Sequence, residues 1–318
     1  MTVIGLHVSH EQLHPVEGLR VARLAQDAGF DAAMCSDHIA PWSVRQGQSS
    51  LAWSWLGAAL AVTGLSFGTV CAPGWRYHPV VVAQAIATLG AMFPGRFWVA
   101  LGSGENLNEH VTGEPWPPKA ERDRRLEECV QVIRALLLGQ DVDHTGLVVA
   151  RQARLWTLPD VVPPLLCPAL TPATARRHAA WADGLITVNQ PVADLRRIIE
   201  AYRGEAGAGE VIVQAHLSWA PTTAEAEAVA LDQWRTNTGS PEVAANTPTT
   251  RAFDELSRDV GIDEVRRAVL VSADLGELTA RLAALRDAGA DRLYLHHVGR
   301  RQDAFVEAFG ERVLPALR

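Results

Sequence analysis

The residues Ala28-Gly29-Phe30-Asp31-Ala32-Ala33-Met34-Cys35-Ser36-Asp37-His38, running on through Ile39-Ala40-Pro41 to Trp42, decide how this chain is read. Gly29 follows a helix-like stretch and supplies the left-handed residue that ends it. Asp31 then leads straight into an apolar run, 32–35, of the kind found in strands buried on both faces. A strand that starts two residues after a helix end is the short αβ loop of a repeating unit. The run closes on a carboxylate, an imidazole and, a few residues on, an indole. Buried strands end in that set where they open onto a polar cavity, and parallel α/β architectures place their ligand sites at the carboxyl ends of the strands.

The same unit returns twice. Ala180-Trp181-Ala182-Asp183 precedes the apolar run 184–188, and Ala288-Gly289-Ala290-Asp291 precedes 292–296. Eight strands are expected, at 3–8, 32–36, 67–71, 97–101, 165–169, 184–188, 211–217 and 292–296. Helical stretches fall between them at 15–28, 50–62, 79–92, 119–138, 172–182, 192–205, 224–235 and 275–288, and 303–317 follows the last. Eight strand–helix units without a break predict a (β/α)8 TIM barrel, residues 1–318 forming one domain. No G-x-G-x-x-G opens the first helix, which weighs against a dinucleotide-binding open sheet. Two segments interrupt the repeat. Residues 141–156 alternate Val with polar residues around Thr145-Gly146 and predict an inserted surface hairpin. Residues 237–263 are rich in Pro, Thr, Ser and Asn, with a short helix near 251–256, and predict a long late insertion beside the active face.

Composition narrows the partners. With 318 residues, 48% of them hydrophobic and 20% charged, the chain has the makeup of an ordinary globular protein with a large core. Its net charge of -7 disfavours nucleic acid and anionic membranes. Residues 46–75 carry no charge, but Gly64-Leu65-Ser66 divides them into a helix-like and a strand-like half, a buried helix–turn–strand rather than a membrane span. Cys35, Cys71, Cys129 and Cys167 form no C-x-x-C pair and no metal spacing with His, so the expectation is a reduced, cytoplasmic chain with no metal. No signal peptide is expected at the start. Ten Trp against three Tyr suggests a pocket walled by flat aromatic surface.

The chemistry gathers at the strand ends. Directly after 97–101 comes Gly102-Ser103-Gly104-Glu105-Asn106-Leu107-Asn108-Glu109, where glycines let backbone N–H groups approach a ligand and Glu105 can protonate or hold a substrate. The first strand contributes His7 and then Glu11; the eighth ends in His296 and His297, of which at most one points inward. There is no P-loop, no G-x-S-x-G elbow and no zinc triad. One candidate base (His38), carboxylates (Glu11, Asp37, Glu105), aromatic walls and a glycine loop lack a strong nucleophile of their own. That is the inventory of a protein whose cofactor performs a redox step while the chain supplies positioning and proton transfer.

At these residues the sequence resembles the luciferase-like flavin and deazaflavin oxidoreductases, in particular the group around the F420-dependent glucose-6-phosphate dehydrogenases and an FMN-using sister branch. The likeness covers nearly the whole chain. It is most specific at Ser36-Asp37-His38 with Pro41-Trp42, at Arg76-Tyr77-His78-Pro79 with Ala83-Gln84-Ala85, and at Pro94-Gly95-Arg96-Phe97 followed by Gly102–Glu109. The resemblance implies a flavin-type ring at the barrel mouth, a small-molecule substrate and a homodimer. His38 would accept the substrate's proton, Trp42 and Glu105 would hold the substrate, and Glu11 would line the same pocket. Asp37 would contact the ring, and Gly102, Ser103, Gly104 and Asn108 the cofactor's phosphate-bearing side chain. Thr69, Val70 and Cys71 match the family's bulge behind the ring, implying a cis peptide at 69–70 or 70–71. Ala169, Leu170 and Thr171 stand where the family places its phosphate loop, with fewer glycines.

The sugar-phosphate enzymes of this group use lysines after strand six and in the late insertion. This chain has Thr187-Val188-Asn189-Gln190 and a Lys-free 237–263, which speaks against glucose 6-phosphate as substrate. The resulting expectation is hydride transfer between FMN, or alternatively coenzyme F420, and an alcohol or carbonyl compound. A monooxygenase using reduced FMN and O2, or a non-catalytic flavin-binding protein, are the alternatives.

Overall fold

The computed structural model describes residues 2–205 and 207–318. Eleven strands are present: β1 Val3–Val8, β2 Ala32–Cys35, β3 Ser66–Cys71, β4 Phe97–Leu101, β5 Val142–Thr145, β6 Val149–Ala153, β7 Leu165–Pro168, β8 Gly184–Val188, β9 Glu210–Trp219, β10 Leu270–Ser272 and β11 Arg292–His297. Eight of them run parallel in the order β9-β11-β1-β2-β3-β4-β7-β8, and β8 pairs back onto β9 to close a barrel. The surrounding helices make this a (β/α)8 TIM barrel, as the repeat predicts. β5 and β6 pair antiparallel as the inserted hairpin. β10, unmarked in the sequence because it is three residues long, extends the end of β9 from outside the closed ring.

Alternation along the strands sorts the side chains. Ala32, Met34, Trp98, Ala100, Leu166, Ile186, Ile212 and Tyr294 fill the lumen. Their strand neighbours Val8, Ala33, Cys35, Phe67, Val99, Val213 and Leu295 join the larger core under the helices. Inside the barrel the Trp98 indole donates from Nε1 to the Tyr294 hydroxyl at 3.1 Å, and the two rings meet edge to face. That pair needs room. A Cβ built on Gly68 would lie 1.9 Å from Trp98 Cε2. A rigid indole held by a hydrogen bond cannot yield that distance, so Gly68→Ala is expected to lower stability by about 1–3 kcal/mol or more. Urea unfolding should show it as a lower midpoint at unchanged slope.

One expectation fails here. All described peptide bonds are trans, including 69–70 and 70–71. β3 holds an unbroken parallel register against β4 from Phe67↔Phe97 to Cys71↔Leu101, and Cys35↔Thr69 continues the pairing on its other side. A cis bond would turn one peptide out of the ladder to β4, and no bulge is present there to absorb it.

The late insertion folds into the short helices Pro241–Asn246, Thr250–Leu256 and Ile262–Ala268. It is pinned to the loop that follows β2. Thr250 Oγ1 donates to the Pro41 carbonyl at 2.8 Å, Ser43 Oγ donates to Asp254 Oδ1 at 2.7 Å, and Arg45 Nη2 lies 3.0 Å from the same carboxylate. The insertion therefore covers the end of the barrel where β2 opens. Among the described residues no helix is long and apolar enough to cross a membrane.

Candidate active site

β2 ends at Cys35, and the next three residues carry the polar set. His38 lies between two carboxylates: its Nδ1 is 2.7 Å from Glu11 Oε1, and its Nε2 is 3.6 Å from Glu105 Oε2. Three strand ends meet in this contact, because Glu11 follows β1 and Glu105 follows β4. Glu11 is buried, and its other oxygen accepts hydrogen bonds from Ser9 Oγ at 2.7 Å and Ser36 Oγ at 2.6 Å. Both serines stand two residues before a functional side chain, on the lumen-facing side. The alternation of a strand could have marked them.

Electrostatics follow from that geometry. Burial opposes charge on Glu11, yet His38 and the two hydroxyls hold its carboxyl far below the usual range. Burial also pulls His38 down, but the Glu11 charge, with Glu105 behind it, outweighs this and raises the imidazole to about 9. Glu105 is raised by burial against the pull of His38. At neutral pH His38 is an imidazolium. The resemblance casts it as a proton acceptor, whereas the resting site holds it already loaded.

Asn108 is the tie between two of these loops. Its Oδ1 accepts from the Ile39 N–H at 3.0 Å and its Nδ2 donates to Glu105 Oε2 at 3.3 Å. With both ends of the amide engaged, Asn108 positions Glu105 against His38. Trp42 packs its ring edge-on to His38 at 5.0 Å and to Phe253 of the insertion at 5.2 Å. The expected catalytic four, Glu11, His38, Trp42 and Glu105, thus lie in one constellation.

Beside it is a second layer, in which the sequence reading gives a role to Asp37 alone. Asp37 accepts from the Tyr77 hydroxyl at 2.9 Å, while Arg76 Nη2 donates to the Asp37 carbonyl at 2.8 Å and lies 3.5 Å from its Oδ2. On its far side Arg76 meets Glu109, which accepts from the Arg76 N–H at 3.0 Å. Burial raises the Glu109 carboxyl to about 7 despite the guanidinium. The Arg76-Tyr77 dipeptide that carried the family likeness is therefore the clamp that orients Asp37.

The remaining expected residues are more dispersed. Val70 faces the lumen, whereas Thr69 and Cys71 are buried on its helix side, Thr69 Oγ1 donating to the Cys35 carbonyl at 3.0 Å. Gly102, Ser103 and Gly104 form a partly open loop at the mouth, Gly104 with φ +84. Ala169 is buried and Leu170 exposed. Thr171 uses its hydroxyl to cap the helix Pro172–His178. After β8 the Asn189 side chain is engaged with backbone, accepting from the His216 N–H at 2.7 Å and donating to the Ala268 carbonyl at 3.1 Å.

Comparison with known proteins agrees with this fold. The luciferase-like monooxygenase family matches residues 1–304. The chain is 32% identical over 331 residues to the F420-dependent glucose-6-phosphate dehydrogenase of Microbacterium testaceum, covering 99% of this chain and 97% of that one. It is 33% identical over 330 residues to the protein of the same name from Beutenbergia cavernae, covering 100% and 98%. Among solved structures, an F420-dependent secondary alcohol dehydrogenase in complex with an F420-acetone adduct superposes with a TM-score of 0.92 at 29% identity, over 100% of this chain and 99% of that one. The chain belongs to the luciferase-like monooxygenase family and is an oxidoreductase of its flavin- and deazaflavin-using kind.

Proposed function

We propose that this protein moves a hydride between coenzyme F420 and an unphosphorylated alcohol or carbonyl compound, with His38 carrying the proton. The observation that supports it most is His38 held between Glu11 and Glu105 at the mouth of a full-length barrel similar to an F420-dependent alcohol dehydrogenase. The sequence alone leans to FMN. The relatives named above are F420-dependent by name, which moves the proposal to the deazaflavin.

The residues at the mouth fit such a ring. Asp37 Oδ2 makes no hydrogen bond and lies 3.5 Å from the Arg76 guanidinium, an acceptor that would suit a ring N–H, and the glycines at 102 and 104 leave backbone open at the mouth. Bound there, the deazaflavin supplies the hydride acceptor. Everything else is the chain's work. Glu11, anchored by Ser9 and Ser36, fixes the His38 ring and leaves Nε2 to face the substrate oxygen. As an imidazolium, His38 donates that proton to the oxygen of a carbonyl being reduced; alcohol oxidation requires it neutral.

The lack of the lysines that the sugar-phosphate enzymes use supports the unphosphorylated class. The chain's single lysine, Lys119, is 2.7 Å from Asp123 and so already paired. Asn189, at the position after the sixth barrel strand, is committed to backbone. The homodimer implied by the resemblance belongs to the same proposal.

The purified protein, given F420 or FMN and then a secondary alcohol, tests this. F420 should lose its visible absorbance band on alcohol addition, FMN should not be reduced, and glucose 6-phosphate should give no turnover. Robust turnover of that sugar phosphate, or O2 uptake coupled to product formation with FMN, would overturn the assignment.

A further inference from the structure

Below the catalytic histidine lies a polar layer that neither the resemblance nor the comparisons explain. His7 of β1, His296 of β11 and His216 of β9 face the lumen in one layer, two residues above Tyr294 and Gln214, which pair with each other. The His7 and His296 rings are 4.4 Å apart, and His216 is 5.2 Å from His296. His297, its side chain alternating outward, stacks on Phe305 instead. Burial pushes His7 down to about 4 and His216 to about 3, so both are neutral in the working range. His296 is lowered well below the ordinary value by the same cause. A neutral imidazole has one donor and one acceptor, and its neighbours decide which nitrogen is which.

Here the decision propagates from a backbone carbonyl. Gln12 contacts the Val298 carbonyl and Gln233 Oε1, so the Gln12 atom facing them is its NH2 and its Oε1 points the other way. That oxygen lies 3.0 Å from His296 Nε2, which must carry a hydrogen to bond it. His296 Nδ1 is then a bare acceptor. His216 Nδ1, 3.1 Å from it, must be the donor, and Gln214 Nε2 approaches the same nitrogen at 3.5 Å. The hydrogen on His216 therefore sits on Nδ1, leaving Nε2 with a lone pair. Nε2 has no partner among the described residues, and the His216 side chain is partly exposed while Trp234 packs on its ring.

We infer that His216 Nε2 accepts a hydrogen bond from a second hydroxyl of the substrate, remote from the reacting carbon. The substrate class is then a polyol or unphosphorylated sugar rather than a simple secondary alcohol. This rests on the proposed reaction at His38 and adds to it. β2, β1, β11 and β9 are consecutive in the barrel, so His216 stands three strands round from His38 and deeper in the lumen: it is level with His296 and His7, and His7 pairs with Met34, four residues before His38. A chain of several carbons reaching down the lumen from His38 brings a second hydroxyl toward that depth. His7 lies between the two sites and feels the charges of Glu11 and His38. An uncharged acceptor at that depth favours ligands that bring a hydroxyl donor to it and disfavours ones that leave it bare.

The test reads the nitrogen directly. Long-range proton–nitrogen NMR on imidazole-labelled full-length protein, assigned with His216→Asn, should show His216 hydrogenated at Nδ1. Sorbitol should shift its Nε2 resonance and 2-propanol should not. A hydrogen on Nε2, or no response to sorbitol or glucose, overturns the inference. Because this readout needs no turnover, it separates from the F420 assay: absence of F420 reduction with every alcohol would sink the reaction proposal and leave the binding result standing. Where turnover is present, His216→Asn keeps an N–H toward His296 but removes the far acceptor. It should lower the ratio of kcat/KM for the polyol over the secondary alcohol by about tenfold or more. Equal losses on both substrates would give His216 a packing role only.

Discussion

His38→Ala should lose about 10²–10⁴ in kcat for alcohol oxidation or carbonyl reduction while still binding the cofactor. The size follows from what the side chain does. No other group in the cluster stands where His38 Nε2 stands. Glu105, its nearest neighbour there, is engaged by Asn108 Nδ2 at 3.3 Å. Removing the imidazole leaves the reacting oxygen without a positioned proton partner and deprives the Glu11 charge of its counterion. Cofactor titration by fluorescence checks the binding half, and single-turnover rates check the other. An unchanged rate would mean that His38 carries no proton.

Glu11→Gln should move the pH dependence. In the wild type, alcohol oxidation needs neutral His38, so its rate should rise with pH and level off above about 9; carbonyl reduction should fall through the same range. The groups facing His38 are Glu11 and Glu105, which raise it, and Arg76, which lowers it. With the Glu11 charge gone, burial and Arg76 win. The midpoint should then drop to or below the ordinary histidine value of 6.5. At neutral pH the neutral fraction of His38 thus increases by roughly 100-fold, each unit being tenfold. Splitting a buried ion pair generally costs about 3–5 kcal/mol when the survivor stays charged. Here the survivor can release its proton, so the larger effect appears in the pH profile and the smaller in stability. A wild-type midpoint already near the ordinary value would remove the basis of this prediction.

Much of this molecule is legible in its sequence, for identifiable reasons. Gly29, Gly289 and the Asp residues that follow each helix end punctuate a repeat whose strands are nearly all apolar, and a barrel is the architecture that buries such strands on both faces. Glu11, His38, Trp42 and Glu105 could be read as one site because a closed parallel barrel brings every strand's carboxyl end to one rim. What could not be read are relations across strands. Asn108 reads as a ligand-facing amide, and only its contacts with Ile39 and Glu105 show it to be a tie. The protonation of His38 depends on a 2.7 Å approach by a residue 27 positions earlier. β10 is too short for any periodicity, and the trans geometry of 69–71 goes with a ladder to β4 that local sequence does not specify. His296 and His297 look alike in the chain. Strand alternation leaves open which of them faces the lumen until register with β1 and β9 is known.

The account depends on His38 being a cation held by Glu11 at the barrel mouth. An NMR titration of the His38 ring in the full-length protein measures this most directly. A midpoint near 9 that falls in Glu11→Gln is the predicted result; a midpoint at or below 6.5, unchanged by that substitution, would contradict it.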